Sequence, residues 1–217
     1  MKSVLTSRLV PALCLLTALS LGFAVPASAQ PDFHLGIRAG VADLSGNGLY
    51  EDVFDGTTDL LGLQGEVRWP SFSLRLAYEQ ADGEGAFVPA AGPAALTPTF
   101  DVEADLSIVH LTAAYNGETA GQGWSWFAGG GPSYVDAQLS GTARFSSGGL
   151  AFDSEAHSTG LHAIGGVRWP LGQRWELGGE VMYLHTLENF DLTGFSFSDD
   201  TDDLSGFSGV ASLSFGF

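Results

Sequence analysis

The sequence has a single cysteine and a single lysine, and both lie within its first 29 residues. Disulfides therefore cannot hold the rest of the chain together. Beyond residue 29 the basic residues are six arginines, against 25 aspartates and glutamates, a formal charge of −19. A chain this acidic lacks the basic patches that bind a phosphate backbone, which excludes nucleic acid as a partner. No run of 18 apolar residues follows residue 29, so no transmembrane helix is predicted.

The first 29 residues have the three parts of an export signal. Lys2 and Arg8 form a basic start, residues 10–25 form an apolar core, and Ala27-Ser28-Ala29 is a small-residue cleavage site. A retained membrane anchor is the alternative, and the short apolar core argues against it. The predicted organisation is a cleaved signal peptide at residues 1–29 and one β-barrel domain at residues 30–217.

Most of the remaining apolar residues alternate with polar or small ones, which is the period of a β-strand with two different environments. In WELGGEVMY, for example, Trp175, Leu177 and Val181 share one face, while Glu176 and Glu180 lie on the other. Eight such stretches predict an all-β protein. The predicted strands are 32–42, 60–69, 72–80, 101–115, 124–139, 159–169, 174–185 and 205–217.

Two of these stretches are irregular. The adjacent apolar residues Ile108 and Val109 indicate a change of phase in the alternation of the fourth predicted strand. Pro132 lies in the middle of the fifth predicted strand, where it cannot donate a hydrogen bond to a neighbouring strand. We predict a β-bulge at Pro132, and near Ile108-Val109 either a bulge or a strand that leaves the membrane there.

Short and long connections alternate along the chain. Pro70-Ser71 and residues 116–123 and 170–173 are short, whereas the connections 43–59, 81–100, 140–158 and 186–204 are long. Short turns at one end and long loops at the other are typical of an eight-stranded antiparallel up-and-down transmembrane β-barrel. A soluble sandwich or lipocalin-like barrel is the alternative, and it would show its polar strand faces to water.

The tetrapeptide Val-Arg-Trp-Pro occurs twice, ending at Pro70 and at Pro170. In a transmembrane barrel, valine and tryptophan would face lipid, arginine would face the interior, and proline would begin a tight turn. Tryptophan suits the water boundary of a membrane, since its apolar ring carries one N–H group. We therefore predict an aromatic belt at the short-turn end of the barrel. Its members are Phe33, Trp69, Phe72, Tyr115, Trp124, Trp169, Trp175 and Phe217.

The polar strand faces of such a barrel would line its interior. Pairing Trp69 with Phe72 would place Glu66 opposite Arg75, and pairing Trp169 with Trp175 would place Arg168 opposite Glu176. Cross-strand pairs of this kind compensate charges inside a lumen that eight strands leave just wide enough for side chains. We interpret them as a polar plug, with a gated pore as the alternative. The predicted network contains Arg38, Glu66, Arg68, Arg75, Glu79, His162, Arg168, Glu176 and Glu180.

The last predicted strand ends in Phe217 and has Phe207, Gly209, Ala211, Leu213 and Phe215 at alternate positions before it. Together with the export signal and the eight amphipathic strands, this resembles the small outer-membrane β-barrels of Gram-negative bacteria, the group of OmpX and the membrane domain of OmpA. The resemblance implies that these six residues are the signal read by the barrel-assembly machinery. It also implies an outer-membrane location, with outer-membrane lipid and lipopolysaccharide as neighbours.

Most of the acidic residues lie in the predicted long loops or near them. Their spacing does not match an ordered calcium loop, so no metal site and no cofactor are predicted. Solvated loops that share bridging divalent cations with lipopolysaccharide phosphates are the expectation.

Catalytic residues are not predicted. Some barrels of this group modify lipids with a histidine and a serine two residues apart, and neither His157-Ser158-Thr159 nor His185-Thr186-Leu187 reproduces that pattern. The expected function is therefore a structural or surface-interaction role with a plugged lumen and an unidentified extracellular partner. A small channel for ions or solutes is the second expectation, and a lipid-modifying enzyme is the third.

Overall fold

The computed structural model describes residues 30–44, 57–87, 99–118, 123–145, 148–187 and 205–217. The predicted signal peptide and most of the predicted loop residues lie outside these ranges. No helix in the described ranges is long and apolar enough to span a membrane. The strands are β1 (Asp32–Asp43), β2 (Thr57–Trp69), β3 (Phe72–Phe87), β4 (Thr99–Glu118), β5 (Ser125–Phe145), β6 (Gly148–Pro170), β7 (Trp175–Thr186) and β8 (Ser205–Gly216).

The eight strands form one closed antiparallel barrel. Each strand pairs with the next along the chain, and β8 pairs with β1. The stagger of the barrel is ten residues. Moving from Asp43 to its paired residue on β8, and then from strand to strand through β7 down to β2, leads back to β1 at Phe33. Such a stagger requires tilted strands and leaves an interior that side chains can fill. The predicted eight-stranded up-and-down barrel is confirmed.

Alternate residues of each strand point outward and inward, as the period-two pattern predicts. Leu35, Ile37, Leu61 and Leu63 are more than half exposed on the outside, whereas Arg38 and other polar residues are buried inside. Below, the end of the barrel that carries Pro70-Ser71 is called the turn end, and the opposite end is called the loop end.

The strands at the loop end are longer than predicted. The alternation predicts a loop over residues 140–158, but β5 and β6 remain paired as far as Phe145 and Gly148. β3 and β4 likewise pair out to Phe87 and Phe100. The sequence prediction is wrong here because the outer faces of these segments are mainly polar, as with Ser140, Thr142 and Arg144 on β5, so the outward apolar signal of a membrane strand is missing.

Neither predicted bulge is present. Ile108 points inward and Val109 points outward within an unbroken alternation, and the β3–β4 register runs without a shift from Phe72–Tyr115 to Phe87–Phe100. At Pro132 the β4–β5 register is the same on both sides of a two-residue gap in the pairing. The proline therefore interrupts the β4–β5 ladder locally and does not add a residue to it.

The β6–β7 register differs from the prediction by two residues. Trp169 lies opposite Leu177, and Arg168 lies opposite Gly178, so the predicted Trp169–Trp175 and Arg168–Glu176 pairs are wrong. The hairpin is closed by the Leu171 amide, which donates to the Trp175 carbonyl oxygen at 2.8 Å, and Gly172 occupies a positive φ of 137° in the turn. A shift of two residues keeps each side chain on its predicted face.

Candidate functional site: the filled interior of the barrel

Arg38 on β1 lies at the centre of the interior. Its Nε donates a hydrogen bond to Glu79 Oε1 at 2.8 Å, and its Nη1 donates to Gln64 Oε1 at 3.1 Å. Its Nη2 also forms an ion pair with Glu180, whose second oxygen accepts a hydrogen bond from Arg75. Side chains of β1, β2, β3 and β7 are thereby joined, and the Arg38 side chain is only 2% exposed.

Glu66 on β2 is the second centre, nearer the turn end. One carboxylate oxygen accepts from Arg68 Nη2 at 2.8 Å, and the other accepts from Arg168 Nη2 at 2.6 Å. Arg68 also donates two hydrogen bonds to Glu176, at 2.9 and 3.0 Å. Bidentate, charge-assisted bonds of this kind are strong and geometrically specific. The predicted neighbour Arg75 lies opposite Glu66 in the register, 3.9 Å from it.

The ion pairs of the interior balance one another. Four arginines and four glutamates form one network across five strands, so charge compensation requires no outside ion. Arg168 and Glu176 also remain close, at 3.8 Å, through a diagonal contact. The structure places all nine predicted network residues on the inner face: Arg38, Glu66, Arg68, Arg75, Glu79, His162, Arg168, Glu176 and Glu180.

An aromatic ring fills the space between two of these arginines. Phe127 on β5 points inward, with the guanidinium carbons of Arg75 and Arg168 at 4.6 and 4.0 Å from its ring centroid. The ring fits because Gly166 lies opposite it on β6. A Cβ atom at Gly166 would lie 2.4 Å from the Phe127 ring. The sequence analysis did not include Phe127 in the interior, although it alternates with the outward-facing Trp126 and Ala128 on β5.

A cluster of hydrogen-bonded histidines was also missed in part. His162 was predicted inside, but His110 on β4 was not named, because no faces were assigned next to the supposed phase change. Ser133 Oγ lies 2.8 Å from Nδ1 of both histidines, and Thr112 Oγ1 lies 2.8 Å from His162 Nε2. His110 Nε2 faces Glu79 Oε2 at 3.3 Å, which links the cluster to Arg38.

Toward the loop end the interior becomes apolar. Every strand contributes at least one buried residue to a single hydrophobic cluster, which we call the apolar collar. Val135 and Ala137 are fully buried within it, and Leu106 and Ile108 are nearly so. The collar consists of Ala42, Leu44, Leu60, Ala81, Ala104, Leu106, Ile108, Val135, Ala137, Ala143, Ala156, Leu184 and Val210, with Phe152 packed against it.

The predicted belt residues occupy the outer face or rim at the turn end. Phe33, Phe72, Tyr115, Trp169, Trp175 and Phe217 are exposed, whereas Trp69 and Trp124 are half-buried. Neighbouring rings contact one another, as in Trp69–Phe72 at 5.8 Å between centroids. The residues of the predicted assembly signal all lie along the outer face of β8, and none of them is buried: Phe207, Gly209, Ala211, Leu213, Phe215 and Phe217.

The loop-end strands β3 to β6 carry acidic residues in register on their outer face. One row runs from Asp82 through Asp105 and Gln138 to Glu155, and Gln138 donates a hydrogen bond to Glu155 at 3.0 Å. Among the described residues, the β6–β7 pairing reaches Thr186, whereas the pairing among β3, β4, β5 and β6 extends further toward the loop end. The described residues contain no group of three or more histidine, cysteine or acidic side chains that could hold a metal ion.

The two histidines considered for catalysis point outward. His157 Nδ1 lies 3.4 Å from Asp136, and His185 Nδ1 lies 2.9 Å from Ser205 Oγ. Ser158 points inward and is buried, so it cannot act together with His157. In the described part of the chain, His185 has no carboxylate partner to orient it, which a histidine acting as the base for a serine nucleophile requires.

A closed antiparallel barrel with an apolar outer face, a charged inner face and aromatic residues around one rim is the architecture of a transmembrane β-barrel. The chain belongs to the family described as outer membrane protein beta-barrel domain, whose model matches residues 12–215. Membership of this family implies the outer membrane of a Gram-negative bacterium as its location.

Solved structures of outer-membrane proteins share the fold. The chain is similar to OprG from Pseudomonas aeruginosa, with 12% identity, a TM-score of 0.55, and coverage of 87% of this chain and 97% of that one. It is also similar to a major outer membrane protein from Thermus thermophilus, with 14% identity, a TM-score of 0.50, and coverage of 86% and 99%. At these identities the likeness shows the fold alone. No curated protein sequence matches this one.

Proposed function

We propose that this protein is an outer-membrane barrel with a closed lumen that acts structurally and as an interaction surface, and does not conduct ions. The observation that carries the proposal is the interior itself. The arginines and glutamates there compensate one another, and the apolar collar fills the adjacent level. An ion crossing the barrel would have to break buried ion pairs and enter an apolar constriction that excludes water.

The surface role is supported by the long paired segments of β3 to β6 at the loop end. Their outer face carries carboxylates such as Asp82, Asp105 and Glu155 in one row. The proposal places the loop end outside the cell. There the carboxylates would face an extracellular partner and would share divalent cations with lipopolysaccharide phosphates.

Two further parts of the proposal concern biogenesis. Residues 1–29 would be removed after export, as their basic, apolar and small-residue parts indicate. The outer face of β8, which ends in Phe215 and Phe217, would be the surface that the barrel-assembly machinery reads. Its exposure supports this assignment, since no other part of the described chain covers it.

Single-channel recording tests the closed lumen. Residues 30–217 would be refolded into a planar bilayer, with folding checked by a heat-dependent gel shift. We expect a silent bilayer for the wild type and for Asp101→Asn, which removes only the exposed Asp101–Arg144 pair. Discrete steps in the wild type that change in Glu66→Gln and Arg168→Gln, but not in Asp101→Asn, would contradict the proposal and make transport the function.

A further inference from the structure

The histidine cluster forms one continuous chain of hydrogen-bonding groups. The chain runs from Thr112 Oγ1 to His162 Nε2, from His162 Nδ1 to Ser133 Oγ, and from Ser133 Oγ to His110 Nδ1, each at 2.8 Å. It ends at Glu79 Oε2, 3.3 Å from His110 Nε2. All five side chains are at most 5% exposed, and the two imidazole rings meet edge to face at 4.9 Å. We call these five residues the lumen relay.

The carboxylate of Glu79, at one end of the relay, determines which atom donates and which accepts in each hydrogen bond. Glu79 can only accept, so His110 carries its proton on Nε2, and its Nδ1 accepts from the Ser133 hydroxyl. The Ser133 oxygen then accepts from His162 Nδ1–H, and the remaining His162 nitrogen, Nε2, accepts from the Thr112 hydroxyl. With both rings neutral, each of the three hydrogen bonds at 2.8 Å joins one donor to one acceptor, and His110 Nε2–H points to the Glu79 carboxylate at 3.3 Å.

An added proton enters the relay at the lone pair of His162 Nε2, and the Thr112 hydroxyl then turns to accept a hydrogen bond from it. Transfer of the His162 Nδ1 proton to Ser133, and of the serine proton to His110 Nδ1, moves the charge to the ring beside Glu79 and leaves the hydrogen bonds between the rings intact. The relay therefore takes up one proton that either ring can carry.

The resulting imidazolium would lack a free counter-charge. Glu79 already accepts from Arg38, and the four arginines and four glutamates of the interior balance one another. β5 faces the relay with the neutral Ser133, and β2 also contributes the neutral Gln64. The charged groups around His162 are Arg38 on β1 and Arg75 and Glu79 on β3, and Glu180 on β7 is paired with both of these arginines.

The relay also lies directly below the apolar collar. Ile108 follows His110 toward the loop end of β4, Val135 follows Ser133 on β5, and Leu184 lies opposite His162 in the β6–β7 register. A positive charge at this level would require water, and the space next to it is lined by collar side chains. Hydration of an apolar constriction is one way in which a closed pore opens.

We propose that the lumen relay is an acid-responsive element: uptake of one proton by its two linked histidines unbalances the interior charge, draws water into the apolar collar and opens the lumen. The inference rests on the proposed closed lumen. It goes further in assigning a proton-binding site to a cluster that no other part of the proposed function uses. Histidine suits this role because its charge changes between about pH 5 and pH 8.

The proton positions are tested without any variant. Nitrogen-15 spectra of the refolded wild type, labelled at histidine, report which ring nitrogen carries the proton. At about pH 7.5, on the neutral side of histidine titration, we expect His110 protonated on Nε2 alone and His162 on Nδ1 alone. The reverse tautomers, or a charged ring at this pH, would overturn the relay as described.

Single-channel recording tests the opening. We expect a silent wild type at about pH 7.5 and discrete steps at about pH 4, below the range in which exposed histidines titrate. The double variant His110→Asn/His162→Asn removes both rings that can carry the added proton, so it is expected to stay silent at both values. His157→Gln and His185→Gln, which alter exposed histidines on the outer face, are expected to retain the acid-induced steps.

The outcomes separate this inference from the proposed function. A wild type that is silent at both pH values would overturn the acid-responsive relay and leave the closed lumen intact. Steps already present at about pH 7.5, on the neutral side of histidine titration, would overturn the closed lumen itself. Acid-induced steps that persist in the double variant His110→Asn/His162→Asn, with folding verified by the gel shift, would assign the opening to another group and overturn the relay.

Discussion

At the residue scale, the interior depends on a few side chains with several partners each. Glu66 interacts with Arg68, Arg75 and Arg168, and its side chain is 2% exposed. Loss of one partner from a buried ionic network is costly because the remaining charges stay buried without compensation. Three arginines would share this loss if Glu66 were neutralised.

We expect Glu66→Gln to lower the free energy of unfolding by about 3 kcal/mol, in the range for breaking a buried ion pair. Asp101→Asn is the matched control because Asp101 and Arg144 are 46% and 71% exposed. Exposed pairs contribute about 0–1 kcal/mol. Urea unfolding in detergent micelles measures both variants. Equal effects would show that the interior network does not hold the barrel together.

Gly166 provides a second test at this scale. A Cβ atom there would meet the Phe127 ring at 2.4 Å and the Gly179 carbonyl oxygen at 2.6 Å. We expect Gly166→Ala to destabilise the barrel by about 1–3 kcal/mol, the usual cost of overpacking. Gly165→Ala, one residue away on the outer face, meets nothing closer than 4.0 Å and should be nearly neutral. A neutral Gly166→Ala in the same unfolding assay would show that the ring is not confined.

The sequence predicted individual interior residues well wherever the polar pattern was strong. All nine predicted network residues point inward, because a charge on an otherwise apolar strand marks the inner face by itself. His110 and Phe127 were missed for the opposite reason. His110 follows two adjacent apolar residues, Ile108 in the collar and Val109 on the outer face. Because both faces are apolar at this point, the sequence seemed to change the phase of its alternation.

At the element scale, alternation predicted the strands and their faces, but not all of their ends or their pairing. The β6–β7 pairing depends on how residues 171–174 turn, with Gly172 at positive φ, and the alternation contains no information about that turn. The strand ends at the loop end are set by pairing between β5 and β6 outside the apolar band. Alternating hydrophobicity cannot reveal pairing where the outer face is polar.

Pro132 allows a direct test of the hydrogen bonding between β4 and β5. It interrupts the β4–β5 ladder while the register stays unchanged on both sides. Pro132→Val would restore an amide donor facing β4. We expect it to slow hydrogen exchange of the flanking β4 and β5 amides about fivefold, which corresponds to a hydrogen bond of about 1 kcal/mol.

Ala128→Val is the control for this prediction. It adds the same side chain to the outer face of the same strand, where the ladder with β4 is already complete. Exchange rates in Ala128→Val should match those of the wild type. If the two variants slowed exchange equally, the effect would come from the added side chain, and the proposed gap in the ladder would be wrong.

At the scale of the whole molecule, the interior has two levels along one axis. The charged level lies toward the turn end, and the apolar collar lies toward the loop end, with the lumen relay between them. The sequence predicted the charged level and the barrel around it. The collar was not predicted, because its alanines and leucines look the same as residues that face lipid.

The claim that these two levels close the lumen is tested most directly by thiol accessibility. Residues 30–217 contain no cysteine, so single cysteines can be placed at will. Val135→Cys puts a nearly isosteric thiol in the collar at a position with 0% exposure, and Ser140→Cys puts one on the exposed face of the same strand. In folded protein in liposomes at neutral pH, a charged, membrane-impermeant thiol reagent should modify the Ser140→Cys variant and leave the Val135→Cys variant unmodified until the barrel is unfolded. Modification of both variants at similar rates would show a water-filled lumen and contradict the account.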